Sequence, residues 1–194
     1  MVTATALEAE LLELAGSVPD PELPVLTLHE LGVVRAVRVG DSGSVEVDLT
    51  PTYTGCPAVE AMSADIERLL HEHGVHEVRV RTVLSPAWST DDITAEGRRK
   101  LESSGIAPPR PHRATGPVAL SLSPTHTGAP TRTGAANRTG GHGTDAAAGA
   151  ADPVRCPHCH STETELLSRF SSTACKALRR CLSCREPFDH FKEL

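Results

Sequence analysis

The stretch Val45-Glu46-Val47-Asp48-Leu49-Thr50-Pro51-Thr52-Tyr53-Thr54-Gly55-Cys56-Pro57, continued by residues 58–70, decides the fold because its periodicity changes in mid-course. Val45, Val47 and Leu49 alternate with Glu46, Asp48 and Thr50, the pattern of a half-buried antiparallel strand. Val59, Met62, Ile66, Leu69 and Leu70 then recur at helical spacing, with Glu60, Asp65, Glu67 and Arg68 left for solvent and Gly74 near the stop. Between strand and helix lies Cys56, the only cysteine in the first 150 residues. Gly55 supplies backbone freedom, and Pro57 suits the first helical position, where its missing N–H would be unpaired anyway. Cys56 is therefore expected at the helix N-cap, where orphan amides and the positive dipole end favour a thiolate. Such a cysteine serves as a metal or cluster ligand or as a nucleophile. The alternative is a buried space-filler, and the spacing does not choose between them.

Working outward, Val33–Val39 reads as a strand that joins the next one through the turn 40–43, giving a hairpin. Before it, residues 5–15 place Leu7, Leu11 and Leu14 on one helical stripe. The three prolines of Val18-Pro19-Asp20-Pro21-Glu22-Leu23-Pro24 forbid helix there. Thr27 is suited to cap a short helix through Leu31, with Gly32 ending it. After the Cys56 helix, Val78, Val80 and Thr82 alternate with Arg79 and Arg81 in a third strand. A last helix is expected from Thr94 to Ser104, stopped by Gly105. The order α, β, β, α, β, α predicts an α+β fold, a small sheet with packed helices.

Composition divides the chain. Residues 1–110 hold 18 acidic and 9 basic side chains, a net of −9, which argues against a duplex-DNA or anionic-membrane surface there. Pro, Gly, Ala, Thr and Ser dominate residues 108–151, which predicts a flexible linker in which His112, His126 and His142 are solvated. The expected domains are 1–107, the linker 108–151 and a C-terminal module over 152–194. No secretory signal or membrane-length apolar run is visible, so a soluble, cytoplasmic protein with reduced thiols is expected.

The C-terminal module carries Cys156-Pro-His-Cys159 and Cys181-Leu-Ser-Cys184, two C-x-x-C knuckles 21 residues apart. Four thiolates at that spacing complete a closed tetrahedron, so the expectation is a Cys₄ zinc ribbon, with a rubredoxin-like iron centre as the alternative. About 40 residues cannot bury a sufficient core alone, and the metal must supply much of the folding energy. Strands are expected at Glu165–Leu167 and around Leu178. Cys175 falls outside both knuckles and is either buried filler or an extra functional thiol. His158 and His160 flank Cys159 with no coordination role left for them.

Taken together, Asp20-Pro21-Glu22, the Leu31-Gly32 turn and Leu49-Thr50 followed by Gly55-Cys56-Pro57 resemble the SufT-like metal–sulfur cluster assembly family. Val83-Leu84-Ser85-Pro86-Ala87-Trp88, residues 96–101 and 105–109, Ser172-Thr173-Ala174-Cys175-Lys176-Ala177-Leu178, and Cys184-Arg185-Glu186-Pro187-Phe188-Asp189 look like the D-subunit family of the phenylacetyl-CoA epoxidase (phenylacetate-CoA oxygenase) system. The long linker departs from the compact form of that family.

The resemblance implies an accessory role in aerobic phenylacetate breakdown, maturing an iron–sulfur or di-iron centre without catalysing ring epoxidation. It implies the oxygenase subunits and their iron–sulfur reductase as partners. Cys56 carries over as ligand for a transient iron or Fe–S cluster, with Asp20 and Glu22 as companions. One thiolate cannot satisfy a cluster alone, so a homodimer or client cysteines are expected to supply the rest. Two other classes compete. One is a rubredoxin-like electron carrier using iron in the Cys₄ site. The other is a nucleic-acid-binding ribbon regulator built on Arg179, Arg180 and Arg185, for which the lone aromatic pair Phe188 and Phe191 is thin support. An enzyme in its own right ranks last, because no general base is paired with Cys56 in any visible motif.

Overall fold

The computed structural model describes residues 4–110 and 153–193. The expected linker therefore lies outside the described residues except for 108–110, and His112, His126 and His142 lie outside them too. In the N-terminal part, α1 (Ala4–Gly16) packs on β1 (Val34–Val39), and β1 pairs antiparallel with β2 (Val45–Leu49). The chain crosses over through α3 (Val59–Glu72) and returns as β3 (Val78–Thr82), parallel to β2 with Val47 opposite Val80. The sheet order is β1-β2-β3. Val37, Val45, Val47 and Leu49 bury one face against Leu11, Met62, Ile66 and Leu70. This is the α+β layer that the periodicity predicts. Leu7, placed on the apolar stripe of α1, is instead 38% exposed, and Ala15 takes the buried position.

The opposite face of the sheet is a lattice of charge. Asp48 pairs with Arg38 at 2.6 Å and with Arg81 at 2.8 Å, one from each neighbouring strand. The register puts Asp48 directly across from Arg81, and cross-strand pairs of opposite sign support a sheet at this spacing.

Local capping chemistry sets the short elements. Thr27 and Glu30 form a reciprocal capping box at the start of α2 (Leu28–Leu31), and Gly32 ends it at φ +75°. A Cβ at Gly32 would stand 2.4 Å from the Asp92 carbonyl oxygen, so this glycine also lets a 3₁₀ turn, Thr90–Asp92, approach. Arg35 holds that turn through Asp92 at 2.9 Å. Thr94 caps α4 (Ala95–Ser103).

Ile106–Ala107 and the described C-terminal residues form a second sheet. A two-residue strand, β4 (Ile106–Ala107), pairs parallel with β7 (Pro187–Phe191), which continues through β6 (Lys176–Cys181) to β5 (Thr164–Ser168). Strands β4 and β7 are additions to the sequence reading. Phe191, fully buried, enters the same core as Leu31, Val33 and Met62, with its ring 6.0 Å from that of Trp88. Trp88 in turn donates its indole N–H to the Leu31 carbonyl at 2.9 Å. The described parts on either side of residues 111–152 thus belong to one compact unit with a common core.

Candidate metal and thiol sites

The four knuckle cysteines converge, with all sulfurs within 4.8 Å of one another. Cys156 and Cys184 lie 3.8 Å apart, and Cys159 and Cys181 3.5 Å. A tetrahedron with Zn–S bonds of about 2.3 Å has edges of about 3.8 Å, so the donor set fits zinc in both chemistry and size. Within the knuckles, the Cys184 backbone N–H donates to the Cys181 sulfur at 3.5 Å, a bond that supports a metal-bound thiolate. His160, at φ +61°, closes the first knuckle by donating its amide to the Cys156 carbonyl. The imidazoles flanking Cys159 face the other half of the molecule. His160 Nδ1 lies 3.6 Å from Glu102, and the His158 ring covers Gly105 at the end of α4.

A second site forms around Cys56. A turn with Gly55 at φ +86° precedes it, and the Cys56 amide donates to the Tyr53 carbonyl. The N-cap of α3 is Ala58, two residues later than the position expected for Cys56, and no side chain caps it. The Ala58 N–H and the Tyr53 hydroxyl are near enough to the Cys56 sulfur to favour its charged form. The thiolate expected from the dipole is not favoured here. Burial is the leading influence and pushes the Cys56 thiol up, ahead of the Ala58 amide that pulls it down, and Glu22 adds to the rise. The Tyr53 hydroxyl is itself pushed up to about 12 by burial and then by Cys56 and Glu22.

Asp20 and Glu22 approach this thiol from the proline-rich segment. Asp20 Oδ1 accepts the backbone N–H of Glu22 at 2.9 Å and of Leu23 at 2.7 Å, an Asx-type turn that shapes the loop. Asp20 is buried, and that burial raises its pKa against the pull of the two amides. Glu22 is raised by burial and then by Asp20.

Cys175 completes the surroundings from the C-terminal half. It is 3% exposed, its sulfur lies 3.0 Å from the Thr173 hydroxyl, and its carbonyl accepts the Lys192 amide at 2.9 Å. Asp20, Glu22, Cys56 and Cys175 line one cavity of about 10 Å³, with Met62 and Phe191 among its apolar walls. That is room for about one water-sized sphere. The sequence reading singled out all four residues without bringing Cys175 to the other three. It missed Tyr53, whose hydroxyl influences the Cys56 thiol, although this is the chain's sole tyrosine and lies three residues upstream.

Comparison with known proteins agrees with both halves. Residues 8–84 match a family described as iron–sulfur cluster assembly protein, and residues 141–192 match the PaaD zinc beta ribbon domain. The chain is 40% identical over 183 residues, 94% of its length and 91% of the relative's, to an Escherichia coli K12 protein named as the D subunit of a "Putative 1,2-phenylacetyl-CoA epoxidase". Its first half is 30% identical to an Fe-S protein maturation auxiliary factor of Porphyromonas gingivalis, covering 48% of this chain and 90% of that protein. It is also 36% identical to the Fe-S protein maturation auxiliary factor SufT of Staphylococcus aureus, covering 37% and 82% respectively. No helix among the described residues is long and apolar enough to cross a membrane.

Proposed function

Because the chain belongs to the family of phenylacetyl-CoA epoxidase D subunits, we propose that it is an accessory factor that helps mature a metal centre of that oxygenase system. The supporting observation is the half-buried Cys56 thiol, which faces a cavity shared with Glu22 and Asp20 inside the segment that matches cluster-assembly proteins. In this reading residues 1–107 are the assembly part, 108–151 a tether and 152–194 the ribbon. Cys56 is the hand-off ligand for iron or an Fe–S cluster as cargo, Glu22 its carboxylate companion, and Asp20 the residue that shapes the loop.

The oxygenase subunits are the proposed clients, and their iron–sulfur reductase is a second candidate client. A cluster larger than the cavity would need further ligands from a client or a second copy. Cys156, Cys159, Cys181 and Cys184 hold structural zinc, since a closed four-thiolate shell leaves no open position for chemistry. The thiols require a reducing compartment, so the proposed setting is the cytoplasm.

The test is co-expression of oxygenase and reductase with and without this chain, reading iron content, cluster content and epoxidation. Omission should lower all three in the client, and Cys56→Ser should match omission. Full client loading with Cys56→Ser would refute the role.

A further inference from the structure

The second sheet ends in an open strand. β5 is outermost, with no strand beyond it among the described residues. On β5 and the turn that follows it, Leu166, Leu167 and Phe170 are 49%, 47% and 64% exposed. Leu166 stands across from Arg179 of β6, and Ala177 of β6 across from His190 of β7. On that face Leu166, Phe170, Arg169, Arg179, His190 and Lys192 line an open groove of about 390 Å³. The Lys192 ammonium lies 4.6 Å from the centre of the Phe170 ring and donates to the Arg169 carbonyl at 3.3 Å, which fixes one lip. Among the described residues no carboxylate lines the groove, and Arg169, Arg179 and Lys192 form no ion pair. Nearby acids are held elsewhere, Glu165 by Arg180 and Asp189 by Lys176 at 3.2 Å. Glu193, whose charge reaches Arg179, is held by Arg110 at 3.1 Å.

We propose that this groove docks an acidic segment of a client protein, one that carries a large apolar side chain beside its carboxylates. This rests on the accessory-factor reading in taking the partner to be the protein whose centre is matured. The sign of the charge decides the occupant. Three cations set around exposed leucine and phenylalanine attract carboxylates, while the apolar surface between them takes the anchor. Burial foremost, and then the Arg110 charge, hold the Arg179 guanidinium below its usual range, so an incoming carboxylate meets a cation already partly stripped of water. The chain's own residues 111–152 carry three arginines against two aspartates and so have the wrong sign. A second copy offers acids only on other elements, a head-to-tail contact that builds rings or open filaments rather than a closed pair. Arg180 is tied to Glu165 and Arg185 lies outside the groove, which leaves the cationic track short for a nucleic-acid strand.

The test measures binding of the full-length, zinc-replete protein to each purified oxygenase subunit and to the reductase, then to short overlapping peptides of whichever one binds. Affinity should fall as sodium chloride rises, and the retained peptides should be acidic around a large apolar residue. Arg169→Glu and Phe170→Ser, both at exposed positions, should each weaken binding about tenfold or more, with zinc content and Trp88 emission reporting an intact fold. A wild-type protein that binds none of these subunits, or variants that bind as wild type, overturns the docking surface. So does tighter binding of a single-stranded DNA oligomer, a self-association that both variants abolish, or competition by a synthetic peptide of residues 111–152. Binding lost in the variants, while omission of this chain leaves client iron unchanged, keeps the surface and refutes the maturation role. Unchanged binding in the variants, with client loading still lost in Cys56→Ser, does the reverse.

Discussion

Asp20 accepts the Glu22 and Leu23 amides on a single oxygen, so substitutions can separate its geometry from its charge. Asp20→Ala strips both amides of their acceptor and should cost about 1–3 kcal/mol, read by chemical denaturation. Asp20→Asn keeps an acceptor oxygen. Because burial lifts the folded pKa of Asp20 above 3.8, its contribution to stability is full below that value and is lost as pH rises through the folded value. Asp20→Asn should therefore match wild type near pH 3 and exceed it at pH 7 in thermal unfolding. Cys56 follows the same logic. Burial raises its thiol above the ordinary cysteine range, so the neutral thiol dominates at neutral pH. Iodoacetamide should modify Cys56 more slowly than free cysteine at neutral pH, with a rate climbing about tenfold per pH unit, as mass spectrometry of quenched samples would show.

The elements divide by how local their causes are. Thr27 with Glu30, Thr94 with Gly97, and the period-two pattern of β2 lie within a few residues of what they control, and the structure reproduces them. The start of α3 is less local. A cap at Cys56 follows from Pro57 as first helical residue, yet the Gly55 turn carries the chain two residues further, and no side chain caps the helix there. Strand β4 is two residues long and exists only through its partner β7, so no periodicity could announce it. Gly32 joins two elements and tests their packing. Gly32→Ala forces a left-handed alanine, about 1–2 kcal/mol, and adds the contact with the Asp92 carbonyl, so a loss of more than about 2 kcal/mol is expected from urea unfolding. On the sheet's outer face, hydrogen bonding to Arg38, ahead of that to Arg81, holds the Asp48 carboxyl below its ordinary 3.8. Its contribution is present above 3.8 and is lost as pH falls through the depressed value. Asp48→Asn should thus lower stability at pH 7 and bring it close to wild type in strong acid.

For the whole molecule, the knuckle cysteines and the Cys56 cavity belong to two buried clusters joined by β7, which sends Phe188 into one and Phe191 into the other. Trp88 is the chain's one tryptophan, 6% exposed and 6.0 Å from Phe191, so it reports whether the ribbon stays packed. Removing zinc with a strong chelator should loosen residues 153–193, shift Trp88 emission to the red and open Cys175 to alkylation. Unchanged emission after one zinc per chain has left would show that the packing does not need the metal. Sequence alone was enough for the α+β layer, for the grouping of the four knuckle cysteines and for the place of Cys56 between strand and helix. These depend on periodicity and short spacing, which act between near neighbours in the chain. That Cys175 shares a cavity with Cys56 was not legible in that way. Cys56 lies more than a hundred residues upstream of it, and the burial of Phe191 beside Trp88 and the pairing of β4 with β7 bring the two onto one cavity.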